Sequence, residues 1–174
     1  MTPVADTWDG LRGALFGLRD AVLRARLAVA DAPTHGRVLI VDTLTEDIAE
    51  LAGICEETLA LVAPEPDDRP RTLAQCQRRL ASARTQYVER IATYELLTDL
   101  LEVGRYRGYN WDAWAVNVKD AIEGFRGPLD DAGIALVECL LEIAERSAPP
   151  PVAGHPAPAA SAVDVTTPAG GRYA

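Results

Sequence analysis

Asn110–Ser147 reads NWDAWAVNVKDAIEGFRGPLDDAGIALVECLLEIAERS. Trp111, Trp114, Val118, Ala121, Ile122, Phe125, Leu129, Ala132, Leu136, Cys139, Leu140 and Ile143 recur mostly at steps of three or four residues. Such steps draw one apolar stripe along a helix, because about 3.6 residues make a turn. At about 1.5 Å per residue, this helix is expected to run roughly 55 Å. A stripe of that length needs covering from end to end, so the rest of the chain should pack lengthwise on it. Gly127-Pro128 interrupts the middle. Proline removes one backbone hydrogen bond and crowds the preceding turn, so a kink is expected there. The stripe keeps its phase through Phe125, Leu129 and Ala132, which predicts one long bent helix. Asp130 and Asp131 suit a helical start, where the dipole favours anions.

Three further helices are expected upstream. The first runs from about Ala5 to Ala30, with Trp8, Leu11, Leu15, Leu18, Val22, Ala25 and Val29 alternating in steps of three and four, a heptad seam. Asp6 or Thr7 suits its N-cap and Pro33 ends it. Gly10, Gly13 and Gly17 weaken it, by up to about 1 kcal/mol each relative to Ala. They are either tolerated or mark the close approach of another helix. The second runs from about Arg37 to Val62 on Val41, Leu44, Ile48, Leu51, Cys55, Thr58 and Val62. Its start, RVLIVDTL, also fits a short strand, but the helical period continues through it and a lone strand lacks a partner. The third runs from about Thr72 to Val103 on Leu73, Cys76, Leu80, Ala83 and Tyr87, then shifts by one residue to Ile91, Tyr94, Leu97 and Leu101, like a stutter.

The expected fold is all-α: an antiparallel four-helix bundle, up-down-up-down, with a kinked long fourth helix. Residues 1–147 form the bundle domain. From Ala148 the composition changes, and APPPVAGHPAPAASAVDVTTPAGGRYA holds six prolines and almost no large apolar residues. Residues 148–174 are therefore expected to be a disordered Pro/Ala-rich tail. One adjacency is legible in charge. Between Val38 and Asp68 stand nine acids and no Lys or Arg, while between Arg69 and Arg90 stand six arginines and one acid, Glu89. A short turn joins these two segments, so their faces should lie side by side.

Composition narrows the function. The 174 residues are 48% hydrophobic, enough for one core. The net charge of −9 argues against a nucleic-acid partner and against an anionic membrane surface. No apolar run is long enough to span a bilayer, and MTPVADTWDG lacks the pattern of a signal peptide. Cys55, Cys76 and Cys139 each fall on a different apolar stripe, which reads as small buried side chains in a reducing cytoplasm. All cations but Lys119 are arginines, which hints at a GC-rich bacterial genome.

No catalytic constellation emerges. The two histidines, His35 and His155, lie in a predicted loop and in the tail, away from any Cys or Glu that would make a base pair or metal set. Glycine-rich phosphate loops and nucleophile elbows are missing from the sequence. No cofactor and no enzyme activity are expected. The candidate partner-binding residues are Arg105, Tyr106, Arg107, Tyr109, Trp111 and Trp114, because Arg, Tyr and Trp combine large area with directional polar groups. The bland alternative is that the tryptophans cap the core. The expected function is a helical adaptor that binds another protein or a second copy of itself. The alternative is a regulatory bundle that binds a small ligand near Pro128.

Overall fold

The computed structural model describes residues 4–32, 39–103 and 111–148. Five helices follow one another, with no strand among the described residues: α1 Val4–Ala30, α2 Leu39–Val62, α3 Arg69–Val103, α4 Trp111–Glu123 and α5 Arg126–Ser147. The fold class is all-α. Residues 39–44, read from sequence as helix or strand, are helix. Residues 149–174, the expected tail, lie outside the described residues.

Each boundary has a local cause. The last turn of α1 closes with Asp31 N–H on the Leu27 carbonyl (3.0 Å), and Pro33 disfavours helical geometry in the residue before it. At the end of α2, Arg12 of α1 donates to the Ala63 carbonyl (3.1 Å). That satisfies a backbone oxygen which a helix C-terminus leaves without an intrahelical donor. Helix α3 starts three residues before the Thr72 expected from periodicity. Asp68 is its N-cap, accepting the Arg71 N–H on Oδ1 (3.1 Å), and Pro70 sits in the first turn, where a missing donor costs nothing.

The long fourth helix is divided. The interruption is Gly124-Phe125, one turn ahead of Pro128. Phe125 N–H bonds the Ile122 carbonyl (3.1 Å), a tightened turn, and Leu129 N–H bonds the Phe125 carbonyl (2.9 Å). Pro128 is thus the third residue of α5, where the N–H of any residue would lack an intrahelical acceptor. Pro128→Ala should therefore change the unfolding free energy by less than about 1 kcal/mol, against the roughly 3 kcal/mol a mid-helix proline costs. A urea titration checks this; a large stabilisation would mean that the break follows the proline's missing hydrogen bond.

Helix α1 packs on α2, α4 and α5, and α3 packs on the same three. Most of the seam residues read from sequence are core; Ile91, Ala121, Leu140 and Ile143 are partly buried against it, and the side chains of Leu97 and Leu101 lie outside the described residues. Trp8, Leu11, Leu15, Leu18, Val22, Ala25 and Val29 of α1 are buried, as are Val41, Leu44, Ile48, Leu51, Cys55, Thr58 and Val62 of α2. Leu73, Cys76, Leu80, Ala83 and Tyr87 face them from α3, and Val118, Ile122, Phe125, Leu129, Ala132, Leu136 and Cys139 from α4, the junction and α5. The expected charge adjacency is present: Arg79 pairs with Glu57, Arg90 with Asp47 and with Glu50 (3.5 Å), and Gln86 donates to Glu50 (3.0 Å). Most of these side chains are exposed or half-exposed, Asp47 being the most covered, so each pair adds little stability, about 0–1 kcal/mol. Their role is to fix which faces meet.

Gly10, Gly13 and Gly17 lie on the outer side of α1, and a Cβ built at each meets nothing within 4 Å. Among the described residues, no other helix comes that close to them. Gly13→Ala should raise stability by about 0.5–1 kcal/mol, through helix propensity and a less flexible unfolded chain. Denaturant titration measures it; a loss of stability would show that the glycine is needed.

A candidate docking groove between α3 and α5

Arg105, Tyr106, Arg107 and Tyr109 of the candidate cluster lie outside the described residues. Trp111 is the first residue of α4, and its side chain is likewise outside them. Trp114 is core, 4% exposed. The helical period explains this: Trp114 leads into Val118, Ile122 and Phe125 on the inner face of α4.

A concavity of ligand size lies elsewhere, along α3 and α5. It encloses about 680 Å³ and is lined by Gln77, Leu80, Ala81 and Arg84 of α3 and by Leu129, Asp130, Gly133, Ile134, Leu136, Val137, Glu138 and Leu140 of α5. The α3 wall consists of Leu80, on the buried seam, and of Gln77, Ala81 and Arg84, one step round from it. The α5 wall has a different origin. Leu129, Leu136 and Cys139 point inward, but Ile134, Val137 and Leu141, at steps of three and four, form a second stripe on the outer flank. They are 59%, 52% and 58% exposed. Scattered surface aliphatics are ordinary, whereas three on one flank of one helix beside a groove form a patch. The signal lay in the density of the run IALVECLL (134–141), which holds more apolar residues than one inward stripe can use.

Polar groups on the groove sit at its rim. Arg84 approaches Asp130 to 4.0 Å, with both side chains more than half exposed. Between Arg69 and Val88, α3 carries no acid; between Leu129 and Glu145, α5 carries no base. One wall is therefore basic and the other acidic.

A second polar cluster joins the start of α1 to α3 and α5. Thr7 hydrogen-bonds Glu142, Arg146 pairs with Glu142 (2.7 Å), the Cys139 thiol donates to the Thr7 carbonyl (3.2 Å), and the Arg69 guanidinium lies 5.5 Å from the Trp8 ring centroid. These bonds tie helix ends together, with the carboxylate already held by a hydroxyl and a guanidinium. Among the described residues, no group of three or more His, Cys, Asp or Glu is gathered to hold a metal ion.

The three cysteines are buried and unpaired. Burial pushes the Cys55 thiol up to about 12 and the Cys76 thiol to about 11, from an ordinary 9.0, and raises Cys139 as well. Thiolate is the nucleophile, so thiols held protonated are inert at neutral pH. An aromatic disulfide reagent at pH 8 should leave all three unlabelled until denaturant is added. The same shifts set a pH dependence. Below about 9 the thiols are protonated both folded and unfolded, and stability does not vary through them. Above 9.0 the unfolded chain loses these protons while the folded chain keeps them until about 11–12. Stability should therefore fall as pH rises from 9, by up to about 1.4 kcal/mol per pH unit for each fully buried thiol. Cys55→Ala with Cys76→Ala should flatten that slope.

Among the described residues no helix is long and apolar enough to cross a membrane. No protein-family model matches the chain, and no curated protein and no solved structure matches it.

Proposed function

We propose that this chain is a non-catalytic helical adaptor that binds another protein, in a cytoplasmic bacterial assembly, through the α3–α5 groove and its apolar rim. The observation that carries this reading is the outer stripe of α5, where Ile134, Val137 and Leu141 lie more than half exposed beside the groove. A helix packed on one side needs an apolar arc of roughly 100°. That of α5 extends well beyond its buried side, which is what a helix with two sets of neighbours needs.

The architecture proposed for the adaptor is an antiparallel, up-down-up-down four-helix bundle, with α4 and α5 together as a bent fourth stave. Its cross-links support this. Arg12, early in α1, reaches Ala63 at the end of α2, while Arg26, late in α1, pairs with Glu56. Arg79 pairs with Glu57, while the later Arg90 pairs with the earlier Glu50. Arg84 pairs with Asp130, while the later Tyr87 packs on the earlier Phe125. The bent stave is supported by Phe125, whose φ of −75° and ψ of −30° keep helical geometry across the junction.

A non-catalytic role is favoured by the protonated thiols and by the solvated setting of the carboxylates on the groove. The net charge of −9 favours a protein partner over nucleic acid or an anionic membrane. Affinity capture from the native organism tests the reading with three variants: Ile134→Asp with Val137→Asp, Trp111→Ala with Arg107→Ala, and a chain ending at Ser147. Partners should be lost with the first. Partners that survive it and disappear with the second would move the docking site to the 105–114 segment.

A second reading has its own observation. The groove begins at Leu129 and Asp130, beside Pro128, and its volume of about 680 Å³ falls within the size of small-molecule sites. Its lining is apolar with few polar groups. A thermal-shift screen against metabolites separates the two readings: specific stabilisation abolished by Val137→Asp would favour a ligand-binding bundle.

A further inference from the structure

We propose that the occupant of the α3–α5 groove is the same face of a second copy of this chain, so that the protein is a two-fold dimer. The inference rests on the docking reading of the groove and adds the identity of the partner. Its basis is self-complementarity in charge. The α3 wall carries Arg84 and no acid between Arg69 and Val88, whereas the α5 wall carries Asp130 and Glu138 and no base between Leu129 and Glu145. A two-fold axis running along the helices lays α3 of each copy over α5 of the other, base over acid. A two-fold axis across the helices would lay α5 on α5, acid over acid. A two-fold interface repeats every contact, so this choice is made twice over.

The heights of the residues also match. Arg84 and Asp130 stand level with one another, as their 4.0 Å approach requires. An axis along the helices preserves height, so Arg84 of one copy comes over Asp130 of the other. Ile134 then comes over Ala81, a small residue on the groove wall, large against small. The whole-chain charge of −9 opposes association, but screening over about 8 Å at physiological salt leaves the local pattern to decide. The area is adequate. Helix α5 has 22 residues, so the two-helix face measures roughly 33 by 20 Å, about 650 Å² per copy, near the lower end of a standard interface.

Sedimentation equilibrium of the full chain across the micromolar range tests this, with helicity as the control for folding. The wild-type chain should be a dimer. Val137→Asp and Arg84→Glu should each weaken it by about tenfold or more, since each change is felt twice. Asp130→Arg should weaken it likewise, and Arg84→Glu combined with Asp130→Arg should restore it, because both partners of the contact belong to the same chain. A folded wild-type monomer would overturn the self-association while leaving the docking reading to its own capture experiment. A dimer indifferent to Val137→Asp, or a charge exchange that fails to restore association, would also overturn it.

Discussion

Phe125→Ala should lower the unfolding free energy by about 3–5 kcal/mol, the cost of deleting a fully buried aromatic ring and leaving a cavity. Phe125 is 0% exposed and, among the described residues, the bulkiest of the fully buried side chains. It sits at the junction of α4 and α5, its ring edge-on to Tyr87 of α3, with centroids 5.8 Å apart. The ring therefore pins both halves of the divided helix to α3. Alanine is the better helix former, but that gain is a few tenths of a kcal/mol and does not offset the cavity. Against a typical total of about 5–15 kcal/mol, the loss is about a fifth or more of the stability. Phe16→Ala supplies the contrast. That ring is 44% exposed, with the Arg19 guanidinium 4.9 Å from its centroid, and its removal should cost less than about 1 kcal/mol. Urea titration of both variants decides; equal effects would mean that the ring is not the pin.

Leu15→Asp should prevent folding, or lower stability by about 4–5 kcal/mol or more. Leu15 is 1% exposed on the seam of α1, the helix that packs on α2, α4 and α5. A carboxylate there leaves water amid apolar neighbours, and an unpaired buried charge is among the costliest single changes. It would fold only by holding its proton, so some stability should return at low pH. Leu23→Asp is the control on the same helix. Leu23 is 48% exposed, and its replacement should stay within about 0.5 kcal/mol. The difference between these two leucines tests the helix register directly. Similar losses for both would show that the seam does not run through Leu15.

The core was legible because burial follows the helical period so closely. Every seam residue named for α1 and α2 is buried, since each helix has its neighbours on one side and needs a single stripe. The divided fourth helix was half legible. Pro128 marked the region, but it lies in the first turn of α5, where a proline is tolerated, and the break falls at Gly124-Phe125 while the stripe crosses it in phase. The start of α3 was misplaced by reading periodicity alone, when Asp68 before Arg-Pro-Arg already spelled an N-cap and first turn. The groove was the least legible feature. A concavity depends on how far apart two helices sit, which neither sequence specifies. Its one linear trace is the surplus of aliphatics in α5, at Ile134, Val137 and Leu141. Trp114 shows the converse. Residue type suggested a docking side chain, whereas its place on the inner face of α4 puts it in the core.

The most direct test of the proposed docking role is a photo-cross-linking residue placed at Val137 in the full-length protein inside living cells. The same residue at Arg24, exposed on α1, which packs on α2, α4 and α5, serves as the reference. Discrete protein adducts from position 137, absent from position 24, are the predicted result. Position 137 reacting only with water, or no more selectively than position 24, would contradict the account.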